Sequence, residues 1–285
     1  MINEDIIYEY EHNNRIVIIG DIHGDIRRFK DILIDAKIIN KNIEWIAEPK
    51  NTIVVQMGDQ VDSINRDRTL EDWEVLPDIE MIYFTNLLHK IALSKGGRVI
   101  SLIGNHELMN TIGNYSYVSP KSLNNNYKRQ ELFKPSGTLS AILSQRPLVV
   151  KIGQLLFCHA GLTLRHLNIL SKYNKDVSYI NTIWKNFIKN NAILVEDKEI
   201  FEEIILDSNG MLWTRDLDEK EDLIKMLEKL GCVYMFVGHS VVEQVKLIND
   251  HVWYTDTGIS RAFGNTSYQY IDILNNQINI KDVLA

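Results

Sequence analysis

The sequence predicts an α/β protein: two mixed sheets packed together, with helices on the outside. Three observations carry that expectation. Compact apolar runs of strand length recur along the 285 residues, and several stop at a glycine. Segments with apolar residues at helical spacing lie between them. The last portion instead shows short runs around Asn-containing turns, which read as antiparallel hairpins.

Residues 15–19 (RIVII) form a buried strand ending at Gly20. Asp25 is placed to cap a helix that carries Ile26, Phe29, Ile32, Leu33 and Ala36 on one face. Residues 52–57 are the next strand, stopping at Gly58. Pro77 suits the first turn of a helix running to about Lys95, where Gly96-Gly97 ends it. Residues 98–103 make a third strand, closed by Gly104. Residues 148–152 and 155–158 read as a hairpin through Gly153-Gln154. Residues 233–237 are a further buried strand after a helix ending at Gly231. Two more hairpins follow: 245–248 with 252–255 around Asn249-Asp250, and 268–274 with 278–280 around Asn275-Asn276. Residues 114–137 are polar and Asn-rich, and 162–229 are mostly helical in pattern. Both are expected as insertions rimming a site, within a single domain spanning 1–285. Core packing accounts for the apolar spacing at 200–206 and around Trp184, and a solvated face for the acidic run 216–222.

The composition is that of a globular protein, 45% hydrophobic and 24% charged. A net charge of −7 argues against a nucleic-acid partner, which would call for a basic face. No stretch approaches the length of a membrane span, and the N-terminus lacks a signal pattern. The two cysteines, Cys158 and Cys232, sit inside apolar runs and read as small buried hydrophobes. Their number offers no disulfide framework, and a cytoplasmic location is expected.

Five short motifs then follow the strand ends in order: Gly20-Asp21-Ile22-His23-Gly24, Gly58-Asp59-Gln60-Val61-Asp62, Gly104-Asn105-His106-Glu107, His159-Ala160-Gly161 and Gly238-His239-Ser240. Each sets Asp, Asn or His directly after an apolar run. Together they offer carboxylate, amide and imidazole ligands enough for two adjacent metal ions. Two divalent ions ~3.5–4 Å apart acidify a water and clamp a phosphoryl group, so the series predicts hydrolysis of phosphate esters. Ions that close need a shared carboxylate, and Asp59 is its natural source.

The five motifs in this order resemble the calcineurin-like metallophosphoesterase superfamily. Gly-Asn-His-Glu points to its phosphoprotein phosphatase branch. Gly104 to Asn110 (GNHELMN), Leu212 to Asp216 (LWTRD), Asp256-Thr257-Gly258 and Ser136-Gly137 resemble the Shewanella-like protein phosphatases. The resemblance implies one metal held by Asp21, His23 and Asp59, and a second held by Asp59, Asn105, His159 and His239. Mn or Fe is implied, with Zn also compatible. His106 and Asp62 are the implied catalytic pair. His106 protonates the departing oxygen, Asp62 supports its imidazole, and a hydroxide bridging the two metals attacks phosphorus without a covalent phosphoenzyme. Arg215 is implied as the clamp on the substrate phosphate, with Asn105 contributing to substrate binding.

One position departs from the family pattern. An arginine usually follows the second motif's last aspartate, where it is a further phosphate clamp; here Ser63 and Ile64 stand after Asp62. Arg66 and Arg68, just downstream, and Lys128, Arg129 and Arg146, from the insertion side, are the cations that could replace it. Asp256 has two readings, a support behind the site or a plain strand-end turn. His12, His89, His166 and His251 have no partner motif and are expected on the surface or satisfied in the core. The expected activity is a phosphoric monoester hydrolase acting on a phosphoprotein or small phosphoester. A diadenosine-tetraphosphatase-like nucleotide hydrolase and an inactive scaffold are the alternatives.

Overall fold

The computed structural model describes residues 6–11, 15–62, 78–124, 128–217 and 219–284. Eleven strands among them form two sheets. They are β1 (Glu9–Tyr10), β2 (Arg15–Ile19), β3 (Ile53–Gln56), β4 (Arg98–Ser101), β5 (Val149–Ile152) and β6 (Leu155–Cys158). After these come β7 (Tyr234–Val237), β8 (Lys246–Ile248), β9 (Val252–Tyr254), β10 (Ser267–Leu274) and β11 (Gln277–Leu284). One sheet has the order β11-β10-β2-β3-β4 and the other β1-β5-β6-β7-β9-β8. Both are mixed. β2, β3 and β4 are mutually parallel, as are β6, β7 and β9, while the three predicted hairpins are antiparallel edges or neighbours.

Side-chain alternation explains why two sheets stack. In β2, Ile16 and Ile18 point one way and Val17 and Ile19 the other, and all four are fully buried. Ile16 and Ile18 meet Ile53, Val55, Phe157, Phe236 and Ile271 in a core between the sheets. Val17, Ile19 and Val54 face outward, onto α1 (Ile26–Asp35) and α2 (Ile79–Ser94), through Phe29, Ile32, Leu33, Met81 and Leu88. The predicted apolar face of α1 is therefore its contact face, and Asp25 caps it by accepting from Arg28 N at 3.3 Å. Asp78 caps α2; Pro77 lies outside the described residues.

The other sheet is covered on its far side by the chain between residues 162 and 229. Val149, Leu156, Cys158, Met235 and Val237 pack there against α7 (Leu164–Lys172), α8 (Tyr179–Asn190) and α10 (Lys220–Leu230). Trp184, fully buried, lies at the centre of this layer and donates its indole N–H to Leu143 O at 3.0 Å. That stretch thus forms a whole flanking layer. Residues 200–206, whose apolar residues stand at helical spacing, are π-helical from Phe201 to Leu206 after the short α9 (Lys198–Ile200). Shorter helices stand between β4 and β5: α3 (Asn105–Thr111), α4 (Pro120–Asn124), α5 (Arg129–Phe133) and α6 (Ser140–Leu143).

Among the spare histidines, His12 lies outside the described residues. His251 is hydrogen-bonded to Val233 O at 3.0 Å on the surface, and His89 accepts from Val99 N at 3.4 Å. His166 is fully buried in α7: Thr163 N–H donates to its Nδ1 (3.2 Å), and its Nε2–H donates to Asn209 O (3.0 Å). Both ring nitrogens are satisfied only in the neutral form, and burial pushes the pKa down to about 4. A folded pKa below the unfolded value of about 6.5 means stability present above pH 6.5 and lost as pH falls towards 4, up to roughly 3 kcal/mol over the full window. With chelator present throughout, the urea-unfolding gap between wild type and His166→Gln is therefore expected to narrow from pH 7 to pH 4.5. A gap that stays constant would show that His166 is not buried as a neutral ring.

Candidate metal centre

The five motifs converge at the carboxyl ends of β2, β3, β4, β6 and β7. The turns that carry them are held in unusual backbone conformations. His23, Asp59, Asp62 and His239 all have positive φ, between 44° and 61°, a region that costs a non-glycine residue about 1–2 kcal/mol. Each strained turn is pinned by hydrogen bonds. Ile22 and His23 donate their N–H groups to Asp59 O (3.2 and 2.9 Å), tying the first motif to the second. Glu107, on α3, accepts Gly104 N (2.8 Å), Asp59 N (3.0 Å), Gln60 N (2.8 Å) and Val61 N (3.1 Å), tying the second to the third. Asp62 N donates to Asp78 Oδ2 at 2.8 Å, and His239 N donates to Asp21 Oδ2 at 2.9 Å. The motif glycines follow from this crowding. A Cβ at Gly104 would collide with the Asp59 carboxylate, and one at Gly238 with that of Asp21.

Three histidines share one design. His23 Nδ1 donates to Val61 O (3.3 Å), His159 Nδ1 to Met57 O (2.8 Å) and His239 Nε2 to Trp213 O (3.0 Å). A carbonyl can only accept, so in each neutral ring the opposite nitrogen carries a lone pair. Those lone pairs face oxygens that are themselves acceptors. His159 Nε2 lies 2.9 Å from Asn105 Oδ1 and 3.4 Å from Asp59 Oδ2; His239 Nδ1 lies 3.1 Å from Asn105 Oδ1; His23 Nε2 lies 3.9 Å from Asp59 Oδ2. Acceptors turned towards acceptors in a buried place call for a cation between them. Asp21 adds to this, because its buried Oδ1 has no hydrogen-bond partner.

The electrostatics agree. Burial alone would raise the pKa of Asp59, but His106, His159 and His23 outweigh it and hold the carboxyl well below its ordinary range. Asp21 is pushed well above its ordinary range by burial and by the neighbouring Asp256 and Asp59. Burial likewise raises Asp256 to about 6. Burial and the nearby His159 bring His239 down to about 3, which keeps its lone pair available. Asp59 in turn raises the pKa of His159 against its burial. A buried crowd of carboxylates and imidazoles suits hard divalent ions with mixed oxygen and nitrogen shells. Two sets of atoms close enough to hold an ion emerge from the geometry, His23/Asp59/His106 and Asp59/His159/His239, and Asp59 belongs to both.

His106 differs from the other three. Its Nδ1 meets a carboxylate, Asp62 Oδ2 at 2.8 Å, and its Nε2 points towards Asp59 Oδ2 at 3.7 Å. Burial works against its charged form, but Asp59 and Asp62 prevail and raise its pKa. Tyr117 packs edge-on to this ring at 5.1 Å between centroids, and Phe263 packs against His23 at 6.2 Å. Neither aromatic carries a sequence signal.

Arg215 is exposed beside the centre, and its Nη1 donates to Ser240 Oγ at 3.3 Å. The arginine missing after Asp62 is not replaced by either inner candidate. Arg129 is 2% exposed and occupied by Asp62, Asp78 and Asn110; Arg146 is buried and bonded to Gln60, Thr85 and Ile82 O. Lys128 is an exposed cation at the start of α5. Ser63, Ile64, Arg66 and Arg68 lie outside the described residues. Asp256 stands two residues after β9 and accepts Gly258 N at 2.9 Å, the strand-end turn, while its charge also acts on Asp21. Cys158 is buried, and burial raises its thiol pKa far above the usual range, so it is inert as a nucleophile. Glu107, Asp78 and Asn110 also belong to the site, though none has a role predicted from the sequence. Asn110 was within reach of pattern, since it stands four residues after His106 on one helix face.

Comparison with known proteins gives the same direction. The calcineurin-like phosphoesterase family matches residues 14–243. The chain is 32% identical over 281 residues to Shewanella-like protein phosphatase 1 of Plasmodium berghei (strain Anka), spanning 92% of this chain and 71% of that protein. It is 31% identical over 121 residues to Shewanella-like protein phosphatase 2 of Arabidopsis thaliana, spanning 42% of this chain and 28% of that one. Its fold is similar to the crystal structure of a cold-active protein-tyrosine phosphatase of a psychrophilic Shewanella species. That likeness has a TM-score of 0.79 at 20% identity and covers 99% of this chain and 83% of the other. Two mixed sheets, an acceptor-lined centre at their strand ends and these similarities lead to one assignment: the chain belongs to the calcineurin-like phosphoesterases, a family of metal-dependent phosphatases, among relatives of the Shewanella-like protein phosphatases.

Proposed function

We propose that this protein is a dinuclear phosphomonoesterase acting on phosphoprotein or small phosphoester substrates. The single observation that carries the reading is Asp59, whose carboxylate is common to both ligand sets. Asp21, with its unpartnered Oδ1, His23 and Asp59 would hold one ion, His106 of that geometric set being kept for proton transfer by Asp62, and Asp59, Asn105, His159 and His239 would hold the other. Mn or Fe suits these shells, with Zn compatible. When bound, such ions acidify water and neutralise phosphoryl charge.

The chain's own residues supply the rest. His106, its ring held by Asp62, donates the Nε2 proton to the departing oxygen. Arg215, at the mouth of the centre, bonds two phosphoryl oxygens of the substrate and meets the charge that grows on them. Asn105 orients both substrate and metal. The segments 114–137 and 162–229 frame the centre within one domain. A net charge of −7 supports a protein or small-molecule substrate over nucleic acid, and the two free, buried cysteines support a cytoplasmic setting. Among the described residues no helix is long and apolar enough to cross a membrane.

Chelator-stripped protein is expected to cleave p-nitrophenyl phosphate only after Mn²⁺ is restored, and inactivity of a protein carrying two ions per chain would count against the reading. Asp59→Asn should lose bound metal and activity together; a metal-replete, active variant rules out the shared ligand. His106→Asn should keep its metal while turnover on phenyl phosphate falls about 10²–10⁴-fold. Metal lost along with activity would make His106 a ligand. Arg215→Ala should chiefly raise KM for a small phosphoester, and unchanged kinetics would return it to the surface.

A further inference from the structure

Behind the proposed general acid lies a closed network that its role alone does not require. Asp62 is fully buried and accepts four contacts: His106 Nδ1 on Oδ2 (2.8 Å), Asn110 Nδ2 on both oxygens (2.9 and 3.0 Å) and Arg129 Nη2 on Oδ1 (2.8 Å). Arg129 comes from α5, in the segment between the third and fourth motifs. Its guanidinium also forks onto Asp78 (Nη1 to Oδ1 at 3.0 Å, Nη2 to Oδ2 at 2.8 Å) and donates through Nε to Asn110 Oδ1 at 2.6 Å. Asn110 returns to the same helix by donating to His106 O at 2.8 Å. Asp78 in turn accepts the backbone N–H of Asp62 and its own helix-start N–H from Ile79. The guanidinium lies over the Phe133 ring, 4.9 Å from its centre.

Each part of this network removes one freedom from Asp62. The guanidinium fixes Oδ1 and, through Asn110, the carboxylate plane; Asp78 fixes the strained backbone at φ 61°. Only Oδ2 is left to face the imidazole. A buried ion pair by itself adds little stability over apolar packing, because desolvation offsets the attraction. Its geometric yield here is a single orientation for His106. Arginine is suited to the task, since a planar fork can span two carboxylates and an amide while an ammonium cannot.

We propose that Arg129 is a positioning residue for proton donation: a guanidinium delivered by the 114–137 segment that locks Asp62, and through it His106, in the donating geometry. The inference rests on the reading of His106 as general acid. The consequence is a dependence on leaving group. An ester with a poor leaving group, phenyl phosphate, needs the proton; 2,4-dinitrophenyl phosphate departs without it.

The test measures kcat on both esters for the metal-loaded wild type, Arg129→Gln, Arg129→Lys and His106→Asn, with bound metal and melting temperature recorded for each. Arg129→Lys keeps the charge and the stem, so it decides the matter if Arg129→Gln does not fold. Losses of about 10–100-fold on phenyl phosphate are expected for the Arg129 variants at full metal content, with dinitrophenyl phosphate turnover changed less than about threefold. His106→Asn should show the same selectivity, more strongly. Equal losses on the two esters, or none, in Arg129→Lys would overturn the inference and leave Arg129 a packing residue. If His106→Asn itself does not discriminate between the esters, the general-acid reading fails, and the positioning role falls with it.

Discussion

The centre depends on one buried carboxylate that belongs to neither candidate ligand set. Glu107 gathers four backbone N–H groups from two different strand ends, Gly104 after β4 and Asp59, Gln60 and Val61 after β3. Hydrogen bonds to a charged acceptor contribute roughly 1.5–3 kcal/mol each. Together they outweigh the cost of the left-handed conformation at Asp59, about 1–2 kcal/mol. That conformation turns Asp59 back over the sheet, so that its side chain can serve two ligand sets at once.

The same economy runs through the histidines. Backbone carbonyls of Met57, Val61 and Trp213 each take one ring N–H, which leaves the other nitrogen of His159, His23 and His239 as a donor of electrons and not of protons. Where the partner is instead a carboxylate, at Asp62, it joins Asp59 in raising the ring's pKa. The carboxylate acceptor sets His106 apart in its hydrogen bonding from the three carbonyl-anchored rings, while Asp59 raises the pKa of both His106 and His159. The parallel strands make this possible, because their carboxyl ends bring Met57, Val61 and the five motifs to one rim of the sandwich.

The helical segments between motifs carry more structure than their place in the chain suggests. α7, α8 and α10 close the outer face of one sheet with Leu167, Ile183, Trp184 and Met226, so the same stretch that presents Trp213 and Arg215 to the centre also completes the core. Arg129 and Phe133 do the equivalent for the 114–137 segment. Site and scaffold are therefore coupled through the same residues.

Ten of the eleven strands, the three hairpins, the cap at Asp25 and the place of the five motifs at strand ends were legible in the chain, because they rest on local periodicity, on turn chemistry and on residues adjacent in sequence; the two-residue β1 is too short to leave such a signal. Strand order was not, since pairing β10 with β2 joins residues more than 250 apart and no local signal records it. Nor were the tautomers, which depend on carbonyls brought in from other strands. The fate of the arginines was likewise a tertiary matter. Arg129 and Arg146 look alike in sequence as candidate phosphate clamps, yet both are buried, one facing Asp62 and Asp78, the other Gln60 and Thr85. A charge buried on folding must find its partners inside the protein, and those partners are chosen by packing, so chemistry at the strand ends could be read from composition and spacing while the assignment of each cation could not.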